Sequence, residues 1–442
     1  MTGAVSSAAR FGALRGEAPG WLFAALLALP FLIGIAVLQG LTVEIDTFHG
    51  TDARVYQLPT ILQLSERLDL SSYPSAQTPL FHLAMAGWGK LVGFELWKLR
   101  LLSVAISYGM ALALLHLLRQ ATPLGAWPAF ALTMLFTLSP YVLGASFTLL
   151  TDNLALLFAL LALERIERFR RSGSLGAFGL ACLAIAGAVL TRQSFLWLAL
   201  VAAWFLLRAR LPMPRRAIGA VLLGLALVPL AALVAEWGGL VPPGADPASC
   251  GLCTDRPGVG RDALTLRTVG FTVALLGAYA AMLFCPSLLR HRRGWRALPS
   301  LVWPIGLAIA AGGVLLFLSP LAYQAIVPGQ AGDAGYLWKL SDRAPLVFGS
   351  SLLFWLLVPL GCVTILLLVR RAGLGSLPAV YLAAFLLSAL PVGLVYQKYF
   401  DPFALLALAL LARPPDLRRG LDYAGIAVMC VAFVAYALSF AG

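Results

Sequence analysis

Charge is what this chain has least of: Asp, Glu, Lys and Arg make up 12% of its 442 residues, against 61% hydrophobic residues. That balance excludes a water-soluble globular domain, in which about a quarter of residues are charged. Alternating strands of about 10 residues are missing too, which argues against a membrane β-barrel. No Gly-rich phosphate-cradling loop occurs, so a nucleotide-activated substrate is not expected. Of the four histidines, His49 and His82 share one polar stretch, but two at that separation make no metal motif, and neither metal nor cofactor is expected. Among the six cysteines, only Cys250 and Cys253 are paired by spacing. A structural zinc site would need a second pair; a local disulfide is the expectation there, and packing roles for the other four.

What the chain has in abundance is apolar runs, most of them long enough to cross a hydrocarbon core of about 30 Å as a helix. They fall at 21–41, 99–118, 125–143, 147–164, 175–191, 194–209, 217–236, 268–287, 299–319, 346–369, 376–395, 400–412 and 421–440. The expected fold is therefore an all-α, polytopic bundle of about thirteen helices, forming one integral membrane domain over 1–442. The run at 21–41 is too long for a signal-peptide core and is expected to remain as the first helix.

The segment 79–92 is apolar but short, and His82, Trp88 and Lys90 interrupt it. Placing it in the interface, as a segment that does not cross, gathers Arg119, Arg165, Arg168, Arg170, Arg171, Arg208, Arg210, Arg215 and Arg216 on one side. Arg10, Arg15, Arg290, Arg292, Arg293, Arg296, Arg370, Arg371, Arg413, Arg418 and Arg419 join them, so about 20 of the 32 basic residues face the cytoplasm. The net charge of +13 is then a signature of topology and of anionic lipid nearby. It is not read as a nucleic-acid footprint, because these arginines flank helices and no aromatic stacking platform interleaves them.

The same topology sends the loops 42–98, 238–267 and 320–345 to the exterior or luminal face. The first is the most polar, with Asp46, Asp52, Glu66 and Asp69, and a carboxylate held beside a membrane core is expensive enough to suggest function. Within it Leu58, Ile61, Leu62, Leu64 and Leu68 recur at helical spacing, as in an amphipathic helix lying on a membrane. Tyr73, Trp88 and Trp97 fit as interfacial anchors, and Lys90, Lys98 and Arg100 as side chains that snorkel.

Gln77-Thr78-Pro79-Leu80-Phe81, followed by Trp88-Gly89-Lys90-Leu91-Val92-Gly93, gives this loop a layout that resembles the first exterior loop of the GT-C glycosyltransferases. Three further stretches, Leu150-Thr151-Asp152-Asn153, Thr191-Arg192-Gln193-Ser194 and Tyr396-Gln397-Lys398-Tyr399-Phe400-Asp401-Pro402, resemble motifs of the dolichyl-phosphate-glucose α-1,2-glucosyltransferases in that superfamily. The charge-derived topology places all three on the same side as Asp52. The chain departs from the family pattern in having Ala53 and Tyr56 where an Asp-Glu pair followed by His is expected, which leaves acceptor and donor sugar open.

The resemblance implies an inverting transfer of a hexose, glucose in that family, from a polyprenyl-phosphate donor to a lipid-linked or cell-envelope glycan acceptor. Such a donor carries its own leaving group, so one general base and fixed cations for the departing phosphate suffice. Asp52 is the expected base, with Asp46 as competitor nearer the first helix. Arg192 and Lys398 are the expected phosphate ligands, Arg offering a planar fork and Lys a point charge; Lys339 and Arg343 are alternatives. Tyr56, Gln57, Thr78, Asp152, Asn153, Gln193, Gln397 and Tyr399, with Asp46, are the candidates to bind sugar and acceptor. Each has a plainer alternative: Arg192 as a snorkelling helix-end residue, Asp152 as a partner of a helix dipole, the tyrosines as an aromatic belt. The rival function is a transporter or flippase for a polyprenyl-linked sugar or lipid, for which a midplane site and an internal repeat are expected. No convincing repeat is found.

Overall fold

A computed structural model describes residues 19–42, 52–243, 266–290, 301–323, 335–390, 395–413, 417 and 420–438. Asp46, His49, Cys250 and Cys253 lie outside the described residues, as do most of the loop expected at 238–267 and residues 324–334 of the one expected at 320–345.

Among the described residues the architecture is all-α apart from one hairpin of two-residue strands. In chain order the helices are α1 (Gly20–Val37), α2 (Leu58–Glu66), α3 (Leu80–Val92), α4 (Leu96–Ala121), α5 (Ala126–Leu138), α6 (Pro140–Ser146), α7 (Asp152–Ser172), α8 (Leu175–Thr191) and α9 (Trp197–Arg208). There follow α10 (Met213–Trp237), α11 (Leu266–Arg290), α12 (Val302–Leu318), α13 (Tyr336–Asp342), α14 (Leu352–Ala372), α15 (Leu377–Ala389), α16 (Asp401–Leu411) and α17 (Ala424–Leu438). Five of them, α1, α4, α10, α11 and α14, are long and apolar enough to cross a membrane, and a sixth span results if α5 and α6 count as one. The chain is thus a multi-pass helical membrane protein.

Several expected spans are corrected. The run 125–143 is two helices bent by 70°, because Pro140 offers no N–H to continue the ladder of α5 and clashes with the preceding turn. The run 346–369 begins as a hairpin, Leu346–Val347 against Ser350–Ser351, whose turn residues Phe348 and Gly349 both have positive φ (47° and 76°), the geometry a tight hairpin requires. The run 400–412 is α16, whose 11 residues rise only about 16 Å, and every one of them is buried. It is a core helix, held between α5, α11 and α15. The run 79–92 is α3, whose 13 residues span about 20 Å, short of a hydrocarbon core.

Why the long helices pack as they do follows from small residues and narrow apolar stripes. In α1 only Phe23, Leu27 and Phe31 are buried, a single stripe four residues apart that meets α4 through Phe31 and α5 through Phe23, while Trp21, Leu32 and Ile33 remain exposed for lipid. Where α11 crosses α14, a Cβ on Gly277 would lie 2.2 Å from the Leu357 carbonyl oxygen and one on Gly361 2.0 Å from that of Val273. Lipid tails are as apolar as side chains, so close van der Waals contact of this kind, more than hydrophobic transfer, holds membrane helices together. Gly173 closes α7 in the left-handed conformation, and Ser174 caps α8 by accepting from Ala177 N at 3.3 Å. That two-residue turn makes α7 and α8 an antiparallel pair.

Two side chains assigned to the interface are instead structural. Tyr73 is fully buried, stacked on Trp237. Arg100 is buried and donates to the Leu41 carbonyl at 2.7 Å, tying α4 to the end of the α1 segment. The arginines at the end of α7 do not simply face lipid either. Arg165 and Arg168 pair with the buried Glu164 at 2.8 and 3.4 Å, and Arg170 and Arg171 with the buried Glu167, each at 2.7 Å. The apolar face of α2, with Ile61 and Leu64, packs against α3 and so meets protein before membrane.

Candidate functional site

Asp52 enters α2 through a single π-helical turn, Ala53–Gln57. A π turn bonds residues five apart, and it sets the Gln57 side chain back over Asp52, with Gln57 Nε2 donating to Asp52 Oδ1 at 3.2 Å. Gln57 Oε1 accepts from His82 Nε2 at 2.7 Å, and His82 Nδ1 accepts from the Tyr73 hydroxyl at 2.5 Å. The amide orientation of Gln57 therefore sets the histidine tautomer, and a directional relay runs from Tyr73 through His82 and Gln57 to the carboxylate. His82 is fully buried, and burial lowers its pKa to about 3. It stays neutral, and both of its nitrogens are engaged, so it has no lone pair to give a metal.

The cations arrive from two other parts of the chain. Arg192 breaks the helical run between α8 and α9 with extended backbone (φ −150°). Its Nη1 donates to Asp152 Oδ1 at 2.5 Å and to Thr151 Oγ1 at 3.4 Å. Lys398 lies in a short turn before α16, with its Nζ 3.9 Å from Asp52 Oδ2. Both cations meet one ring: Arg192 Cζ lies 5.3 Å and Lys398 Nζ 5.2 Å from the centre of Tyr399, distances at which cation–π attraction operates. Burial opposes the charge on Lys398, yet Tyr399, Asp52 and Asp152 outweigh both it and Arg192, and its pKa lies above the ordinary value. The result is two carboxylates and two cations around a tyrosine, drawn from four separated stretches.

Other expected site residues face elsewhere. Asn153 is buried, and its amide donates to Ser107 Oγ at 2.8 Å, the Val142 carbonyl at 3.0 Å and Ser146 Oγ at 3.1 Å, so it pins α7 to α4 and α6. Thr78 is buried with its hydroxyl on the Val189 carbonyl at 2.7 Å. Gln193 donates to the carbonyls of Ala76 and Leu240 at 2.7 and 3.2 Å, and this fixes the loop before α3. Gln397 turns inward, away from the cations, toward Asp401 and the Leu337 amide. Tyr56 is half-buried beside the relay. Asp69 is occupied locally: hydrogen bonds from the Ser71 and Ser72 side chains hold its pKa down to about 2. Of the alternative cations, Lys339 sits over the Tyr436 ring at 6.0 Å. Among the described residues no three His, Cys, Asp or Glu side chains are grouped to hold a metal.

Tyr73, His82 and Thr151 were not foreseen as site partners. For His82 the signal was its shared loop with Asp52; for Thr151 it was adjacency to Asp152. Chemically, the arrangement can take a proton at Asp52 and bracket an anion beside it. No protein-family model and no curated protein matches this chain.

Proposed function

We propose that this chain is an inverting glycosyltransferase that moves a hexose from a polyprenyl-phosphate donor to a glycan or glycolipid acceptor at the exterior membrane face. The observation that carries the reading is the approach of Lys398 to Asp52 with Arg192 on the same Tyr399 ring. An acid held beside two fixed cations suits a reaction that deprotonates an alcohol and releases a phosphate. In the reaction, Asp52 takes the acceptor hydroxyl proton while that oxygen attacks the anomeric carbon from the face opposite the phosphate. The carbon–oxygen bond to phosphate breaks, and the departing phosphate is neutralised by Lys398 and by the fork of Arg192. Asp52 and Asp152 pair with the same two cations, which holds them in place at little reorganisation cost.

The relay from Tyr73 fixes Asp52 through Gln57 and leaves its Oδ2 edge toward Lys398. The membrane surroundings of the bundle suit a substrate with a long isoprenoid tail, and the resemblance noted for the first loop points the same way. The arginine pattern supports an exterior site, where nucleotide sugars are absent and a lipid carrier can present its headgroup.

Purified protein given radiolabelled polyprenyl-phosphate hexose and a panel of glycolipid acceptors is expected to transfer label, and the folded Asp52→Asn variant is expected to lose transfer. Movement of donor across a bilayer without transfer would replace this reading with a flippase.

A further inference from the structure

Gln397 and Asp401 flank the Lys398-Tyr399 turn, and both side chains are fully buried on its inner side. Gln397 Nε2 donates to Asp401 Oδ1 at 3.2 Å, while Gln397 Oε1 accepts from Leu337 N at 2.9 Å. Asp401 Oδ2 accepts from Ser139 Oγ at 2.6 Å, at the bend between α5 and α6. Its Oδ1 also accepts from Tyr336 OH at 3.1 Å and from Tyr279 OH. Tyr336 in turn is stacked on Tyr141, whose hydroxyl accepts from the Tyr336 backbone N–H at 3.3 Å. The backbone at the start of α13 comes close enough to make these bonds because Gly335 has φ +121°; a Cβ there would lie 2.4 Å from that of Gln397.

Four neutral donors converge on one carboxylate. A buried acid is costly to desolvate, and hydroxyl and amide donors offset only part of that cost. A plain helix pin needs no carboxylate. What this acid does that a neutral side chain cannot is accept from several elements at once, since an asparagine would present an NH₂ to at least one of the same hydroxyls.

We propose that Asp401 and Gln397 are positioning residues: they clamp the turn from behind so that Lys398 and Tyr399 meet Asp52 and Arg192, and phosphate recognition depends on two groups that touch no substrate. The proposal rests on the donor reading above for the identity of the anion, but not for the clamp itself.

The test uses the full-length protein in lipid nanodiscs, with Asp401→Asn, Gln397→Leu, and Tyr381→Phe as control, since Tyr381 makes a buried hydrogen bond to the Phe403 carbonyl of α16 at 2.8 Å. Two quantities are read: the rate of acetylation of Lys398 by an N-hydroxysuccinimide ester, followed by peptide mass spectrometry, and the Kd for farnesyl phosphate. The clamp variants are expected to label several-fold faster at Lys398 and to bind farnesyl phosphate about tenfold more weakly, the equivalent of one hydrogen bond to a charged group. Tyr381→Phe is expected to lower the melting temperature and change neither. Unchanged Lys398 labelling in the folded clamp variants would overturn the proposal, as would an equal rise in the control. If Asp401→Asn does not fold, Gln397→Leu and Tyr336→Phe decide by the same criterion. Wild-type protein that binds no farnesyl phosphate, while the variants still expose Lys398, removes the lipid-phosphate reading and leaves the clamp standing.

Discussion

Lys398 Nζ stands 3.9 Å from Asp52 Oδ2, joining the turn before α16 to the entry of α2. Side chains only 12% and 22% exposed form this pair, so solvent screens it less than a surface ion pair. A double-mutant cycle with Asp52→Asn and Lys398→Met, read by thermal denaturation, should give a coupling of about 1 kcal/mol. A coupling of zero would mean the two do not meet in the folded protein.

In the proposed reaction, Asp52→Asn removes the base and leaves its size unchanged. Transfer should fall by about 10²- to 10⁴-fold in kcat with donor KM little altered. Arg192→Lys should show the opposite pattern, because a point charge replaces a two-pronged donor: donor KM rises while kcat changes less. Steady-state kinetics on the two variants separates these roles.

The histidine relay carries a pH signature. The folded pKa of His82, about 3, lies below its unfolded value of about 6.5, so protonation favours the unfolded chain. The stability tied to this residue is complete above about pH 6.5 and is lost as pH falls toward 3, at up to about 1.4 kcal/mol per pH unit. Melting temperatures across pH 7 to pH 4 should drop more steeply for the wild type than for His82→Gln, which cannot titrate. Parallel curves would remove His82 from the account.

Asn153 was a candidate to bind substrate, yet its amide is committed to Ser107, Val142 and Ser146. Asn153→Ala should cost about 1–3 kcal/mol of stability and leave donor KM unchanged once the protein is folded. A rise in KM without loss of stability would return this residue to the binding surface.

Close backbone contact between α11 and α14 makes the Gly277 and Gly361 positions intolerant of side chains. Gly361→Ala should destabilise by about 1–3 kcal/mol through overpacking, measured as a lower melting temperature. Gly375, with nothing near its Cβ position, should accept alanine freely.

Much of the fold was legible. Membrane class and the positions of the apolar runs follow from local composition, since a span must satisfy its own backbone hydrogen bonds and announces itself by length and hydropathy. The boundaries of α8 are met residue for residue at 175–191. The bend at Pro140 and the short buried α16 were less visible, because an apolar run reads alike whether it meets lipid or protein.

At the site, residue types together with the resemblance of their motifs nominated Asp52, Arg192, Lys398, Asp152 and Tyr399, because charges beside a membrane core are costly. They could not say which polar side chains turn toward water and which toward a neighbouring helix. Thr78, Asn153 and Gln397 carry the same local signals as Gln57, yet three of them are pins and one supports the acid. Helical spacing assigns a residue to a face; the partner on that face is set by segments far away in the chain. Only the packed bundle decided that Asp52 meets Lys398, that His82 is neutral, and that Asp401 stands behind the turn, since each depends on contacts the chain makes after its helices have closed on one another.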